Sequence, residues 1–96
     1  MLLLDLLGRR WTLRILWEIR AGADTFAAIS DRCERISPTV LTRRLGELVE
    51  ADLLVKDGRR YLPTEAAREL GEFLVPMDEW AKRWVAARDD DREESA

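Results

Sequence analysis

Apolar residues return at every third or fourth position along most of this chain, the period of helices with one buried face. Met1 to Leu7 is apolar apart from Asp5 and predicts a short helix interrupted at Gly8. From Arg10 to Arg20, Thr12, Ile15, Leu16 and Ile19 share one side, while Leu13 and Trp17 form a second strip to which Trp11 adds. A helix apolar around most of its circumference is buried on more than one side, here against the core and a further layer. Gly22 ends it. Asp24 is placed to cap a helix over residues 25–34, with Phe26, Ile29 and Cys33 on its inner side. Ser37 then offers a cap, and Pro38 suits the first helical position because an N–H there has no helical partner. The helix they start runs to about Ala51. Leu41, Leu45 and Leu48 lie on one face; Thr39, Thr42, Arg43 and Gly46 lie on another.

After this the period changes. Leu53 to Lys56 reads as a strand, Asp57-Gly58 as the centre of a type I′ turn, and Arg59 to Leu62 as the returning strand. Thr64 caps a last helix to about Arg88, with Ala67, Leu70, Phe73, Leu74, Met77, Trp80, Ala81 and Trp84 at helical spacing. Pro76 inside it predicts a kink or two abutting helices. The order of elements is that of a winged helix-turn-helix: mainly α with a small β-hairpin and a long C-terminal helix. Residues 1–88 make the one domain, terminal dimerisation helices included, and residues 89–96 a disordered acidic tail.

Composition narrows the function classes. The net charge of −3 speaks against nucleic acid, but its distribution does not. Residues 1–60 carry eleven Arg and Lys against nine Asp and Glu, whereas residues 61–96 carry five against ten. A local basic face is therefore compatible with an acidic chain. Histidine is absent, and no metal-ligand cluster or glycine-rich phosphate loop is present. The sole thiol lacks a histidine base, so the chain reads as no enzyme and needs no cofactor. The longest apolar run, Leu2 to Leu4, is too short to cross a membrane, and no basic residue precedes it as a secretory leader requires. One cysteine fits a reducing cytoplasm.

The helix begun at Ser37 carries the strongest functional signal. Arg43 can donate two bonds to the O6/N7 edge of guanine, and Thr39 and Thr42 can meet phosphate or a thymine methyl of double-stranded DNA. Lys56, Arg59 and Arg60 surround the turn and suit phosphate. The last helix is more apolar than a small domain needs, which points to a homodimer seam through Leu3, Leu4, Leu7, Trp17, Phe73, Met77, Trp80 and Trp84. Cys33, with Arg32 and Arg35 beside it in sequence, is a candidate redox residue, against the plainer reading of a core thiol. Trp11, Trp17, Trp80 and Trp84 can line an apolar pocket for an unidentified small-molecule effector. The alternative to DNA reading is a winged-helix adaptor that docks protein and does not bind DNA.

These residues resemble a known family. Leu7-Gly8-Arg9-Arg10-Trp11-Thr12-Leu13-Arg14-Ile15-Leu16 is similar to the opening block of HxlR-type regulators, and Ile36-Ser37-Pro38-Thr39-Val40-Leu41-Thr42-Arg43-Arg44-Leu45 to their "ISPKVLTQRL" block. Phe26 to Ile29, Glu47-Leu48, Ala51 to Leu54, Tyr61 to Glu65 and Trp80 continue the pattern in order, over residues 3–85. The resemblance implies a prokaryotic DNA-binding transcriptional regulator, dimerising through both terminal segments, and the chain is read as a repressor at a pseudo-palindromic site. It carries DNA contact over to Ser37, Pro38, Thr39, Thr42 and Arg43. Two features depart from the family: the wing tip, Lys56 to Arg59, is short, and the one cysteine is Cys33 rather than a residue near the N-terminus. Redox sensing is therefore not part of what the resemblance implies.

Overall fold

The computed structural model describes residues 3–95; Met1 and Leu2, where the first helix was expected to begin, lie outside the described residues. The elements are α1 (Leu3–Leu7), α2 (Thr12–Arg20), α3 (Phe26–Arg32), α4 (Pro38–Glu50), β1 (Leu54–Asp57), β2 (Arg60–Pro63) and α5 (Glu65–Ser95). Mainly helical, with one antiparallel hairpin and a long final helix, this is the winged helix-turn-helix that the period changes predict.

Local chemistry sets most boundaries. The Ser37 hydroxyl accepts the Val40 N–H at 3.1 Å and starts α4 with Pro38 at its first position. α4 ends in a paired closure: Asp52 N–H donates to the Val49 carbonyl at 3.1 Å, and Leu53 N–H to the Leu48 carbonyl at 3.0 Å. Asp52 takes the left-handed conformation this requires, at φ 60°. α2 closes the same way through Gly22, at φ 109°, where a side chain would be strained. α2 begins at Thr12 rather than Arg10, because Trp11 is left-handed at φ 79° and cannot continue a right-handed helix.

Three expectations are corrected. Thr25, not Asp24, caps α3: its Oγ1 accepts the Ala28 N–H at 3.1 Å while Asp24 turns to another partner. The hairpin is shifted by one residue. Asp57 pairs with Arg60, so Gly58 and Arg59 form the loop; Gly58 alone has positive φ, 60°, which is the pattern of a type II′ turn with glycine first. Residues 89–95 are helical rather than a disordered tail. Of the two outcomes expected at Pro76, separate abutting helices are excluded, because α5 is continuous through it. No glycine or proline follows Pro76, and the alanines, arginines and glutamates there favour helix.

The core lies between α2, α3 and α4. Leu41, Leu45 and Leu48 are at most 1% exposed and pack with Ile15, Leu16, Ile19 and Ile29. Each such side chain contributes roughly 1.5–3 kcal/mol over leaving it in water. Leu53 and Leu54 join the same core, and Tyr61 packs at its edge, so the hairpin is held by the body. Thr64 joins hairpin to α5: its hydroxyl donates to the Asp52 carbonyl at 2.6 Å and accepts the Ala67 N–H at 3.2 Å.

Candidate nucleic-acid interface

α4 has one buried face and one free face. With the three leucines inside, Thr39, Thr42, Arg43 and Gly46 all stand exposed, together with Ser37 and Pro38 at the helix start. The two adjacent arginines divide their work. Arg44 donates its Nε to the Arg10 carbonyl at 2.9 Å and pairs with Glu47 at 2.7 Å. Glu47 also pairs with Arg9, so two guanidinium groups anchor α4 to the segment behind α1. Arg43 has no hydrogen-bond or ion-pair partner among the described residues. Its guanidinium is therefore available, on a helix whose orientation is fixed by its neighbour. Among α4's outward residues Glu50 is the one acid, near the far end from Ser37.

α3 and α4 are joined through Cys33 to Ser37, and α3 is itself tied to α2. Arg14 donates its Nε to Glu18 at 2.8 Å and a terminal nitrogen to the Arg32 carbonyl at 2.9 Å. The nearly buried Glu18 carboxylate thus has a partner, and its hydrogen bond holds the Arg14 guanidinium above its ordinary value.

The wing cations are less alike than their sequence positions suggest. Lys56 lies 5.6 Å from the centre of the Tyr61 ring, and Arg59 is exposed in the loop. Arg60 instead places both Nε and a terminal nitrogen on one oxygen of Asp24, at 2.8 and 2.7 Å. The backbone reinforces that contact: Tyr61 N–H donates to the Asp24 carbonyl at 2.6 Å, and Thr25 bridges to Arg60 in antiparallel fashion. Arg60 is thus not a free cation of the tip, although the sequence groups it with the other two.

The comparisons with known proteins agree with this architecture. The family model for HxlR-like helix-turn-helix proteins matches residues 6–89. The chain belongs to the HxlR family. An uncharacterized helix-turn-helix transcriptional regulator of Methanocaldococcus jannaschii is 30% identical over 86 residues, covering 85% of this chain and 81% of that one. Quinone-bound YodB of B. subtilis superimposes with a TM-score of 0.77 at 29% identity, over 83% of this chain and 91% of that one. A possible HxlR family transcriptional factor of Thermoplasma volcanium gives 0.79 at 26% identity, over 88% and 82%. The chain is accordingly a transcriptional regulator of the HxlR helix-turn-helix type, and DNA is the partner that type implies. Its relatives are regulators rather than enzymes. No described helix is long and apolar enough to cross a membrane, and the described residues hold no cluster of metal-ligating side chains.

Other candidate residues fall in two groups in this HxlR chain. Leu3, Leu4, Phe73, Met77, Trp80 and Trp84 are all large, apolar and exposed, as is Val85, which sequence reading left out. Leu7 and Trp17 are half-buried and partly engaged within the chain. Cys33 does not have the surroundings of a redox site. It is 2% exposed within the core, burial pushes its thiol pKa up, and the opposing cation is Arg14 rather than Arg32 or Arg35. Nor do the four tryptophans converge within one chain. Trp17 alone of them lines the cavity of about 610 Å³ between α2 and α5, while Trp80 and Trp84 stack on each other with ring centres 5.8 Å apart.

Sequence reading pointed to none of the ion pairs of Arg9, Arg44 and Glu47, and to Asp24 only as a cap. The Arg44–Glu47 spacing is a helical neighbour pair and was available as a signal. Asp24–Arg60 and Arg9–Glu47 join distant segments and carry no local signal.

Proposed function

We propose that the chain acts as a homodimer that reads a pseudo-palindromic DNA site and represses transcription by occupying it. Arg43 is the base-reading residue, with Thr39 and Thr42 beside it, Ser37 and Pro38 at the phosphate, and Lys56 and Arg59 adding phosphate affinity. The observation that carries this reading is the unpartnered Arg43 on an α4 held in place by buried leucines and by Arg44. The exposed stripe on α5, with Leu3 and Leu4, supports the dimer, and repression by occupancy needs no surface beyond these.

Selection of bound sequences from a random DNA pool tests it. The expected product is a two-fold symmetric motif with half-sites roughly 34–36 Å apart, one turn of the duplex. A motif without symmetry would remove the dimer. Failure to enrich any sequence, with no salt-dependent binding to random duplex, would favour the protein-docking adaptor instead. Neutralising Lys56 or Arg59 reduces the salt slope by about one per site if the wing touches phosphate.

A second reading adds a small-molecule effector. The α2–α5 cavity favours it: Leu16, Trp17, Leu70 and Leu74 give apolar walls, and its size suits a compact organic ligand. A structural neighbour of the same family is quinone-bound. Trp17 fluorescence, isolated by replacing the other tryptophans, would report occupancy; a signal indifferent to quinones and other aromatic ligands removes this reading.

A further inference from the structure

Arg60 belongs by sequence to the cations at the wing tip, and by structure to a joint between the wing and the first helix of the helix-turn-helix. The joint has two attachments at one place. The Asp24 carboxylate takes two Arg60 N–H groups, and the Asp24 carbonyl takes the Tyr61 N–H, which sets Thr25 opposite Arg60 as an antiparallel bridge. Thr25 is also the residue that caps α3. A two-stranded hairpin is only marginally stable by itself, so its pitch relative to α4 depends on such attachments. An arginine fork on a carboxylate is directional, unlike the point charge of lysine.

We propose that Asp24 is a positioning residue for DNA binding: its carboxylate holds Arg60 against the α2–α3 turn, fixing the wing so that Lys56 and Arg59 are presented to phosphate on the side where α4 enters the groove. The proposal rests on the reading that the wing contacts DNA. It assigns an acidic residue a favourable role in binding a polyanion, which simple charge counting would deny.

The sign of the effect makes the proposal testable. Asp24→Asn and Asp57→Asn each make the chain one unit more positive. Asp57 lies across the ladder from Arg60 but takes no part in the joint, so it supplies the electrostatic control. The full chain is titrated with a selected duplex at several salt concentrations. Asp57→Asn is expected to tighten binding, and Asp24→Asn to weaken it by roughly threefold to tenfold despite the same change of charge. Arg60→Lys, which keeps the charge and loses the fork, should weaken binding as Asp24→Asn does. The reversed pair Asp24→Arg with Arg60→Asp should recover most of the loss. Without DNA, amide exchange at Tyr61 should accelerate in Asp24→Asn while exchange in α4 stays unchanged, which separates a loosened wing from a general loss of fold.

Tightening by Asp24→Asn to the level of Asp57→Asn would overturn the proposal, as would failure of the reversed pair to recover binding, which would make Arg60 a direct phosphate contact. Faster exchange at Tyr61 with unchanged DNA affinity would also overturn it, leaving a joint that serves stability alone. A wild-type chain that binds no duplex at any salt would sink the DNA reading and this proposal with it. Wild-type binding with Asp24→Asn and Asp57→Asn moving together would sink the joint only.

Discussion

α4 and the exposed side of α5 carry the same kind of pattern and meet opposite fates. On α4, Leu41, Leu45 and Leu48 are exposed by 0, 1 and 0%. On α5, Phe73, Met77, Trp80 and Trp84 recur at similar spacing and are exposed by 73, 51, 54 and 47%. A helical apolar period states that a face wants cover; it does not state which chain supplies it. The α4 face is covered by α2 and α3. The α5 stripe is left uncovered by its own chain, in a molecule 53 Å long and 27 by 25 Å across. Exposed apolar patches rich in aromatic residues mark interaction sites, and a second copy is the partner proposed above.

Four measurements would break or sharpen that contrast. Leu45→Ala should cost roughly 2–5 kcal/mol in chemical denaturation, whatever the protein concentration, because it opens a hole in a core that one chain completes. Trp80→Ala should leave the fold of the single chain in place and raise the dimer dissociation constant by about 30-fold or more, roughly 2 kcal/mol, in sedimentation. If the two variants lose stability alike, with no concentration dependence, the contrast between the faces is false. Arg43→Ala, on the free side of α4, should leave both fold and association intact and cost roughly 1–3 kcal/mol at one base position. Equal losses on selected and scrambled duplex would restrict Arg43 to phosphate.

The smallest effect concerns Cys33. Burial raises its thiol pKa against the pull of Arg14, so the folded chain holds the proton where the unfolded chain has released it. The resulting stabilisation is complete below the unfolded thiol's pKa and is lost as pH rises through the folded one. Alkylation of the folded protein should therefore set in at higher pH than alkylation in denaturant. Coincident pH profiles would show that the thiol is open to solvent.

What could be read from sequence was local in origin. Ser37 followed by Pro38 specifies a helix start within a few residues, and the leucine spacing after it specifies the inner face, so α4 needed no knowledge of the rest of the chain. Asp24 looked equally like a cap. Thr25 took that role because the carboxylate was claimed by Arg60, 36 residues away, a partner no window on the sequence contains. The turn was displaced for a related reason. Asp57-Gly58 satisfies one hairpin geometry, but the cross-strand register, anchored where Leu54 enters the core, puts Gly58 first in the loop. The separation of Arg43 from Arg44 was also hidden, since it depends on the Arg10 carbonyl lying behind one of them.

The 31 residues of α5 turn distance into something the sequence can count. A helix advances about 1.5 Å and turns about 100° with each residue. One alanine inserted between Glu72 and Phe73 would preserve every side chain of the stripe while swinging it by over a quarter of a revolution from the body that carries α4. Four inserted residues would nearly restore its direction and displace it by about 6 Å. In a dimer joined there, the number of residues in α5 is a ruler for the gap between recognition helices, so operator spacing would evolve by whole helical turns rather than by single substitutions.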